Sequence, residues 1–343
     1  MSPHQLYMQR ALQLAQIGLV HAMPNPSVGA VIVYKDTIIG EGYTAAFGGS
    51  HAEVNAINSV KNQELLKEST LYVTLEPCSH FGKTPPCAHL IIDKKIPKVV
   101  IGCVDPFAKV AGKGIQLLKD NGIEVLTGVL EEECKASHKR FFTFHLKKRP
   151  YIILKWAQSA DGFITPIKKK EQKPVWLSNA YSRQLTHKWR SEEMAILVGK
   201  NTVIDDNPSL TTRNWNGKNP VRLFVDAQNE MGNSYQILNE EAPTYRFTKN
   251  KKSKIDIIIP FEDTVQEICD FCFENNLQSV IIEGGQKTLQ SFIDTGLWDE
   301  ARVFETKIEL QQGVSAPILK GFSKTSTILI DSDCLHFYQH LTK

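Results

Sequence analysis

The sequence has no long apolar segment, few cysteines and almost no net charge. None of its apolar runs approaches the roughly 18 residues that cross a bilayer, and the segment from Gln5 to Val20 is interrupted by polar side chains. We therefore expect neither a signal peptide nor a membrane anchor, and no membrane partner. Lys and Arg total 40 against 37 Asp and Glu, a net charge of +3 without a basic stripe, which predicts no nucleic-acid partner.

Seven cysteines in 343 residues are too few and too scattered for a secreted disulfide framework. This usage is typical of a reducing cytoplasm, where we expect the protein to act. Clustered Cys and His residues are then interpreted first as metal ligands or catalytic groups. Cys269 and Cys272 form a C-x-x-C pair, but they lie on the apolar stripe of a predicted helix, so we expect them to pack in the core.

The length favours two domains over one. Short β-rich runs alternate with helix-length segments on both sides of the basic stretch 147–150, which predicts an α/β fold in each half. We place the domains at residues 1–146 and 150–343. The lysine runs at 168–170 and 249–254 stand beside turn residues and are interpreted as solvated loops.

A cluster of metal-ligand types stands out in the first half. His51 is followed by Glu53, and Cys78 is followed nine residues later by Cys87. One imidazole and two thiolates suit Zn²⁺, and three protein ligands leave the fourth tetrahedral position open for water, as in a catalytic site. Glu53 lies two residues beyond His51 in a predicted helix and is the candidate general acid and base.

The third zinc ligand is open to alternatives, because eight residues separate the cysteines where the zinc deaminase signature has two. His80 or His89 could replace Cys87. We favour Cys87, which follows two prolines and opens a predicted helix whose N-terminal dipole favours a thiolate. Glu76, directly before Pro77 at a strand end, is interpreted as a support for the loop.

These residues carry a resemblance to known families. The first 145 or so positions resemble the cytidine deaminase superfamily, whose domain is a three-layer α/β structure. The insert between Cys78 and Cys87 and the loops at 24–29 and 105–114 are similar to the deaminase half of the bifunctional deaminase/reductase family of riboflavin biosynthesis. The segments 154–162, 202–213 and 282–285 resemble that family's second half, a dihydrofolate-reductase-like domain.

The resemblance implies two reactions and two cofactors. Zinc would support hydrolysis of a diaminopyrimidinone ribosylamine 5′-phosphate, and NADPH would reduce the ribosyl group of the product to a ribityl chain. A homo-oligomer is implied as well. Carried over by position, the NADPH contacts would be Ala157, Trp176, Thr202, Asp206, Ala227, Gly285, Gln286, Lys287, Thr288, Leu289, Gln290 and Ser291. The substrate contacts would be Pro174, Arg190, Leu210, Arg213 and Glu283, with Pro174 standing where the family commonly has serine.

The residues of the second half are compatible with this assignment. Gly284 and Gly285 follow a buried strand and precede a helix, so bare backbone amides there could receive a pyrophosphate. The planar guanidinium groups of Arg190 and Arg213 suit a phosphate because they offer paired donors. Asp206 is a candidate for assisting proton movement.

Three other interpretations stay open at this level. The chain could be a nucleoside or tRNA adenosine deaminase joined to an unrelated domain, which NADPH binding would test. It could be a binding protein with a structural zinc module, which would need four protein ligands. The reductase half could also carry a changed pocket around Pro174, leaving a monofunctional enzyme.

Overall fold

The computed structural model describes residues 1–79, 85–106, 112–169 and 171–341. The chain divides into two compact units, Met1–Lys148 and Arg149–Lys343. This division falls within the basic stretch 147–150. Neither unit contains, among the described residues, a helix long and apolar enough to cross a membrane.

The first unit alternates helices and strands. In chain order its elements are α1 (Pro3–Ala22), β1 (Gly29–Tyr34), β2 (Thr37–Tyr43), α2 (Ala52–Ser59), β3 (Thr70–Leu75), α3 (Cys87–Asp93), β4 (Lys98–Cys103), α4 (Lys113–Asp120), β5 (Glu124–Thr127), α5 (Glu131–Ser137) and α6 (Lys139–Lys147). The sheet order is β2-β1-β3-β4-β5. Strand β1 is antiparallel to both neighbours, whereas β3, β4 and β5 run parallel.

Helices cover both faces of this sheet. Along β1, Ala30 and Ile32 belong to one buried cluster with α2, α3 and α4, while Val31 and Val33 belong to another with α1 and α5. Successive side chains of a strand point to opposite faces, so an unbroken apolar strand needs cover on both. The unit is therefore a three-layer α/β domain, as the sequence predicted.

The buried face of α1 differs in part from the apolar stripe that the sequence predicts there, which consists of Leu6, Leu12, Leu14, Ala15, Ile17 and Leu19. Leu6 and Ile17 of that stripe are more than half exposed, while Met8 and Ala11 are fully buried. The reason is close packing: a Cβ at Gly29 of β1 would lie only 1.9 Å from the carbonyl oxygen of Ala11. Such an approach needs small side chains where the helix crosses β1, and Ala11 and Ala15 stand there, while Leu6 and Ile17 lie on the exposed side.

The second unit is built on a larger sheet. Its elements are β6 (Tyr151–Gln158), β7 (Phe163–Thr165), α7 (Ala180–Glu192), β8 (Ala195–Gly199), α8 (Lys200–Asp206), β9 (Val221–Val225), β10 (Thr244–Thr248), β11 (Asp256–Ile258), α9 (Thr264–Glu274), β12 (Ser279–Gly284), α10 (Gln286–Thr295), β13 (Glu300–Glu305), β14 (Val314–Ser315), β15 (Phe322–Ile330) and β16 (Asp333–His340). Nine strands follow the order β11-β10-β9-β8-β12-β6-β13-β16-β15, and β14 pairs with β7 separately.

The core of the second unit lies on both faces of this sheet. Ile152 and Leu154 of β6 pack in one cluster with α9 and α10, and Tyr151 and Ile153 pack in the other with α7 and α8. Cys269 and Cys272 are buried in the first of these clusters, which confirms their interpretation as core residues. The sequence analysis missed the antiparallel hairpin β15–β16, whose first strand is largely exposed.

A buried histidine makes the first unit sensitive to acid. His138 is 2% exposed, its Nε2 lies 3.2 Å from the Thr74 hydroxyl, and its Nδ1 has no hydrogen-bond partner among the described residues. Burial lowers the pKa of His138 to about 4 from 6.5. The unfolded chain therefore binds one more proton between these values, and the stability present above pH 6.5 is lost as the pH falls toward 4.

We expect this loss to be about 2 kcal/mol between pH 7 and pH 5. Urea unfolding of wild type and His138→Gln at pH 7 and pH 5, followed by zinc release and far-ultraviolet circular dichroism, measures it. The glutamine variant keeps a donor but does not titrate, so its stability should change less with pH. His21→Gln, at an exposed position, is the control. Equal pH dependence of all three proteins would contradict the assignment.

Candidate active sites

The three predicted zinc ligands meet in one cluster of the first unit. His51 is the N-cap of α2, Cys78 lies on the loop after β3, and Cys87 is the first residue of α3. The Nδ1 atom of His51 lies 3.6 Å from Sγ of Cys78 and 3.3 Å from Sγ of Cys87. A tetrahedral ion with bonds of about 2.0 Å to nitrogen and about 2.3 Å to sulfur would separate these atoms by about 3.5 Å. The donor set therefore fits zinc in chemistry and spacing.

This cluster contains a thiolate that a cation can bind. A hydrogen bond from Cys87 and the neighbouring His51 lower the pKa of Cys78 to about 4, so one thiolate is present at neutral pH. The hydrogen bond with Cys78 raises the pKa of His51 to about 8 in the metal-free protein. The backbone N–H of Cys87 donates to Sγ of Cys78 at 3.3 Å, which orients that ligand.

Glu53 lies in the first turn of α2, beside the cluster but outside the ligand set. Its side chain is buried, and burial together with the Cys78 thiolate raises the pKa of Glu53 to about 7. A carboxyl group in this position could exchange a proton with a reacting molecule near neutral pH.

Glu76 supports the loops around the cluster. Its carboxylate accepts hydrogen bonds from the backbone N–H groups of Asp105, Gly112, Gly114 and Ile115, at 2.9–3.2 Å. Three of these groups belong to the N-terminus of α4 or its cap. The interpretation of Glu76 as a loop support is thereby confirmed.

Of the two alternative zinc ligands, His80 and His89, only His89 lies among the described residues. Within the ranges that the structure describes, no fourth His, Cys, Asp or Glu joins the cluster, and His89 is not part of it. His80 lies outside the described residues, as do most of the insert between the cysteines and Ala111 of the second loop. A structural zinc module would require a fourth ligand, and the described residues supply none to this cluster.

A cavity of about 1100 Å³ opens at the carboxyl ends of the central strands of the second unit. Most of the residues carried over from the family line it. On the cofactor side they are Ala157, Trp176, Thr202, Asp206, Gly285, Gln286, Lys287, Thr288 and Leu289, and on the substrate side they are Pro174, Arg190, Leu210, Arg213 and Glu283.

A carboxylate and two cations form the polar centre of this cavity. Glu283 of β12 accepts two hydrogen bonds from Arg190 of α7, at 2.8 and 2.7 Å, and lies 3.8 Å from Nζ of Lys155. Burial raises the pKa of Glu283, but the charges of Arg190 and Lys155 outweigh it and lower the pKa to about 2. Burial lowers the pKa of Lys155. The centre therefore holds a permanent carboxylate beside the amine of Lys155, whose charged form burial disfavours.

Arg213 is a cation of the cavity that remains available to an anion. Its Nη1 donates to the hydroxyl of Ser209 at 3.0 Å, and none of the described carboxylates forms an ion pair with it. Burial and the nearby Arg190 lower its pKa. Arg190 differs, because its bidentate bond to Glu283 and a further bond to the carbonyl of Thr211 occupy much of its guanidinium group.

The cofactor side is shaped by close backbone approach. Gly285 is the N-cap of α10, and Gly284 has a φ of +138°, a conformation that only glycine adopts readily. At Gly199, a Cβ would lie 2.5 Å from the hydroxyl of Thr288. These contacts bring the first turn of α10 against the end of β8, with free backbone N–H groups at the cavity.

Three predicted cofactor residues lie outside the cavity lining. Ser291 donates its hydroxyl to the carbonyl of Thr288 one turn earlier, and Gln290 bonds to Asp294 and to the backbone of Ile318. The carbonyl of Ala227 accepts a hydrogen bond from the N–H of Lys249. The remaining members of the set share one site, as the resemblance implied.

Four lysines of the described cavity lining were missed: Lys155, Lys169, Lys173 and Lys200. Lys155 stands in an otherwise apolar strand, and a lone charge in a buried run is the signal that could have identified it. Lys169 belongs to a run interpreted as solvated, yet it contacts Asp206 and lines the cavity. Lys168 is exposed as expected, as are the lysines from 249 to 254, while Lys170 lies outside the described residues.

Fold and site together define a zinc-type deaminase domain followed by a reductase domain of the dihydrofolate-reductase type. Family models agree with both halves: the cytidine and deoxycytidylate deaminase zinc-binding region matches residues 1–103, and the RibD C-terminal domain matches residues 150–306.

Relatives match over nearly the whole chain. The riboflavin biosynthesis protein RibD of Aquifex aeolicus is 40% identical over 90% of this chain and 88% of its own, and that of Bacillus amyloliquefaciens is 39% identical over 94% and 90%. The crystal structure of a diaminohydroxyphosphoribosylaminopyrimidine deaminase/5-amino-6-(5-phosphoribosylamino)uracil reductase from Thermotoga maritima superposes with a TM-score of 0.91 at 35% identity, covering 98% of this chain and 99% of that one.

The chain belongs to the RibD family of riboflavin biosynthesis. It is a bifunctional enzyme with a zinc-binding deaminase domain and an NADPH-dependent reductase domain.

Proposed function

We propose that the chain catalyses two consecutive reactions on a phosphorylated pyrimidine. The first is hydrolytic deamination of 2,5-diamino-6-ribosylamino-4(3H)-pyrimidinone 5′-phosphate, which releases ammonia. The second is NADPH-dependent reduction of the ribosyl group of the product to a ribityl group. The name of the Thermotoga maritima protein, which is similar over the whole chain, supports these substrates. The observation that carries the proposal is the pairing of a three-ligand zinc cluster with the charged reductase cavity.

In the deaminase site the chain's own groups hold the metal and move protons. His51, Cys78 and Cys87 would hold zinc, which supplies Lewis acidity and lowers the pKa of water toward about 7. Glu53 takes a proton from the attacking water and delivers protons to the ring nitrogen and to the departing amine. Burial of Glu53 keeps this exchange away from bulk solvent.

In the reductase site the chain positions two molecules against each other. NADPH supplies the hydride, and the first turn of α10 would bind its pyrophosphate through backbone N–H groups. Arg213 would bind the substrate phosphate, and Glu283 with Lys155 would contact the sugar, where a proton must accompany the hydride. Arg190 holds Glu283 in place.

The test uses the purified, zinc-loaded chain and the diaminopyrimidinone ribosylamine 5′-phosphate. We expect ammonia release without NADPH, followed by oxidation of one NADPH for each ammonia when both are present. Adenosine and an adenosine-containing tRNA stem-loop are the comparison substrates. Ammonia release from either of these, with none from the pyrimidine phosphate, would replace the proposal by adenosine deamination. Release of ammonia without NADPH oxidation would reduce it to a monofunctional deaminase.

We also propose that the chain forms a homo-oligomer in a reducing cytoplasm. The long edge strand β15 exposes Ile328 and Leu329, a pattern that favours pairing with another chain, and light scattering measures the resulting mass. The thiol ligands Cys78 and Cys87 support a reducing compartment, because zinc needs both in reduced form. A monomeric mass at micromolar concentration would contradict the oligomer.

A further inference from the structure

A buried arginine without a counter-ion lies beneath the edge of the reductase cavity. Arg222 is the second residue of β9 and has no exposed surface. No carboxylate of the described chain lies within ion-pair distance of it, and burial lowers its pKa. Burying a guanidinium group in this way is costly unless its donors are all used.

The guanidinium group of Arg222 donates to three neighbouring segments. Nε donates to the hydroxyl of Thr244 on β10 at 2.9 Å. Nη1 donates to Oδ1 of Asn239 at 2.7 Å and to the carbonyl of Ser209 at 3.3 Å, and Nη2 donates to the carbonyl of Ala242 at 2.7 Å. Two bonds reach residues that line the cavity: the bond to Ser209, in the segment 207–213, and a longer bond of 3.5 Å from Nη1 to the carbonyl of Gln236.

This 207–213 segment has a backbone that needs support. Asn207 and Leu210 have positive φ angles of 42° and 54°, which are unfavourable for residues with a Cβ. The hydroxyl of Ser209, the residue whose carbonyl Arg222 holds, accepts the 3.0 Å hydrogen bond from Arg213. A continuous chain of contacts thus runs from Arg222 through Ser209 to Arg213.

We propose that Arg222 is a positioning residue of the reductase: it holds the 207–213 segment so that Arg213 meets the substrate phosphate. Arg222 itself does not line the cavity and touches no reacting atom. Its loss lowers substrate affinity without changing NADPH affinity, because the first turn of α10 does not depend on this segment. The inference rests on the proposed function, in which Arg213 binds the phosphate.

Arg246 provides a matched control. It lies on the adjacent strand β10, is 3% exposed, and forms an ion pair with Asp256 at 2.8 Å. Its further contacts, with Asn229 and Asp226, do not include a residue of the cavity lining. A general weakening of the sheet would affect Arg222→Lys and Arg246→Lys alike, whereas a positioning role is specific to the first.

The experiment measures KM for the deaminated pyrimidine phosphate, kcat, and the Kd of NADPH for the full chain and its variants. Arg222→Lys keeps the charge but loses the planar fork, and we expect its KM to rise about tenfold with kcat within about threefold and an unchanged Kd for NADPH. Arg246→Lys should leave KM unchanged. All five tryptophans lie in the second unit, so their fluorescence reports its folding, and deaminase activity reports the first.

A double-mutant cycle gives the decisive comparison. If Arg222 acts through Arg213, then Arg222→Lys adds no further increase in KM to Arg213→Ala. If the two effects on KM multiply, or if Arg246→Lys raises KM as much as Arg222→Lys, the inference is overturned. Should Arg222→Lys fail to fold, Thr244→Val removes one acceptor outside the cavity and is expected to raise KM in the same direction, by a smaller factor.

The proposed function and this inference fail in different ways. Absence of NADPH oxidation by the wild-type chain, or an unchanged KM in Arg213→Ala, rejects the proposed reductase role. Normal wild-type turnover with an Arg213-dependent KM that Arg222→Lys does not change rejects only the positioning role.

Discussion

Glu53→Gln should abolish ammonia release while the protein keeps its zinc and its NADPH-dependent reduction. Glutamine has nearly the same volume as glutamate but cannot accept and return a proton. General acid and base groups contribute about 10²-fold to 10⁴-fold to a rate, and here one carboxyl group serves several transfers, so we expect a loss of at least about 10³-fold. Because His51, Cys78 and Cys87 are unchanged, zinc content should stay at one ion per chain.

The measurement separates the two activities of one polypeptide. Ammonia release is followed on the diaminopyrimidinone substrate, zinc by atomic absorption, and NADPH oxidation on the deaminated product supplied directly. Glu41→Gln is the control. Glu41 is a residue of β2 that forms an ion pair with Arg10 of α1, and it does not belong to the cluster of zinc ligands. If Glu53→Gln retained most of its ammonia release, Glu53 would not be the proton carrier.

Glu283→Gln should have the complementary effect, with loss of the reductase and an intact deaminase. The neutral side chain would leave Arg190 and Lys155 without their shared counter-charge in a buried site. Removing one partner of a buried ion pair costs about 3–5 kcal/mol, and the geometry of the remaining cations is lost with it. We therefore expect reductase turnover to fall at least about 100-fold. This factor corresponds to about 2.8 kcal/mol of lost transition-state stabilisation.

The matched control for this variant is Glu305→Gln, at an exposed position of β13. NADPH binding, followed by quenching of tryptophan fluorescence, should be retained in both variants, since the backbone N–H groups of α10 are not altered. Ammonia release should equal that of the wild type. A Glu283→Gln protein that reduced the pyrimidine phosphate with unchanged kcat and KM would show that the buried carboxylate has no role in the reaction.

Much of the fold could be predicted because its signals are local. Apolar runs such as residues 195–198 coincide with observed strands, and the alternation of strands and helices indicated the α/β class in both halves. The hairpin β15–β16 was missed because most of β15 is exposed and carries no apolar alternation. The prediction of the buried face of α1 was wrong in part, because the close approach of Gly29 to Ala11 depends on how the helix packs on the sheet.

The zinc cluster was predictable for the same reason. His51 and Glu53 lie within one turn, and each cysteine stands beside a proline at an element boundary, so residue type and spacing carry the chemistry. Several functional contacts had no such signal. Lys155 and Glu283 are 128 positions apart, and they meet because β6 and β12 pair in parallel, with Leu154 opposite Ile282. Lys169 lies in a lysine run whose composition is typical of a solvated loop. Its contact with Asp206, which only the tertiary structure shows, places it in the site.

The sequence by itself determined the chemistry that this protein brings together: an imidazole and two thiols for zinc, a carboxyl group beside them, and a glycine pair before a helix. The tertiary structure decided which charges neutralise one another. It paired Arg190 with Glu283, left Arg213 without a carboxylate partner among the described residues, and buried Arg222 among carbonyl groups beneath the cavity. The physical reason is that an ion pair or a buried donor depends on distances across strands, and the register and packing of the sheet set those distances.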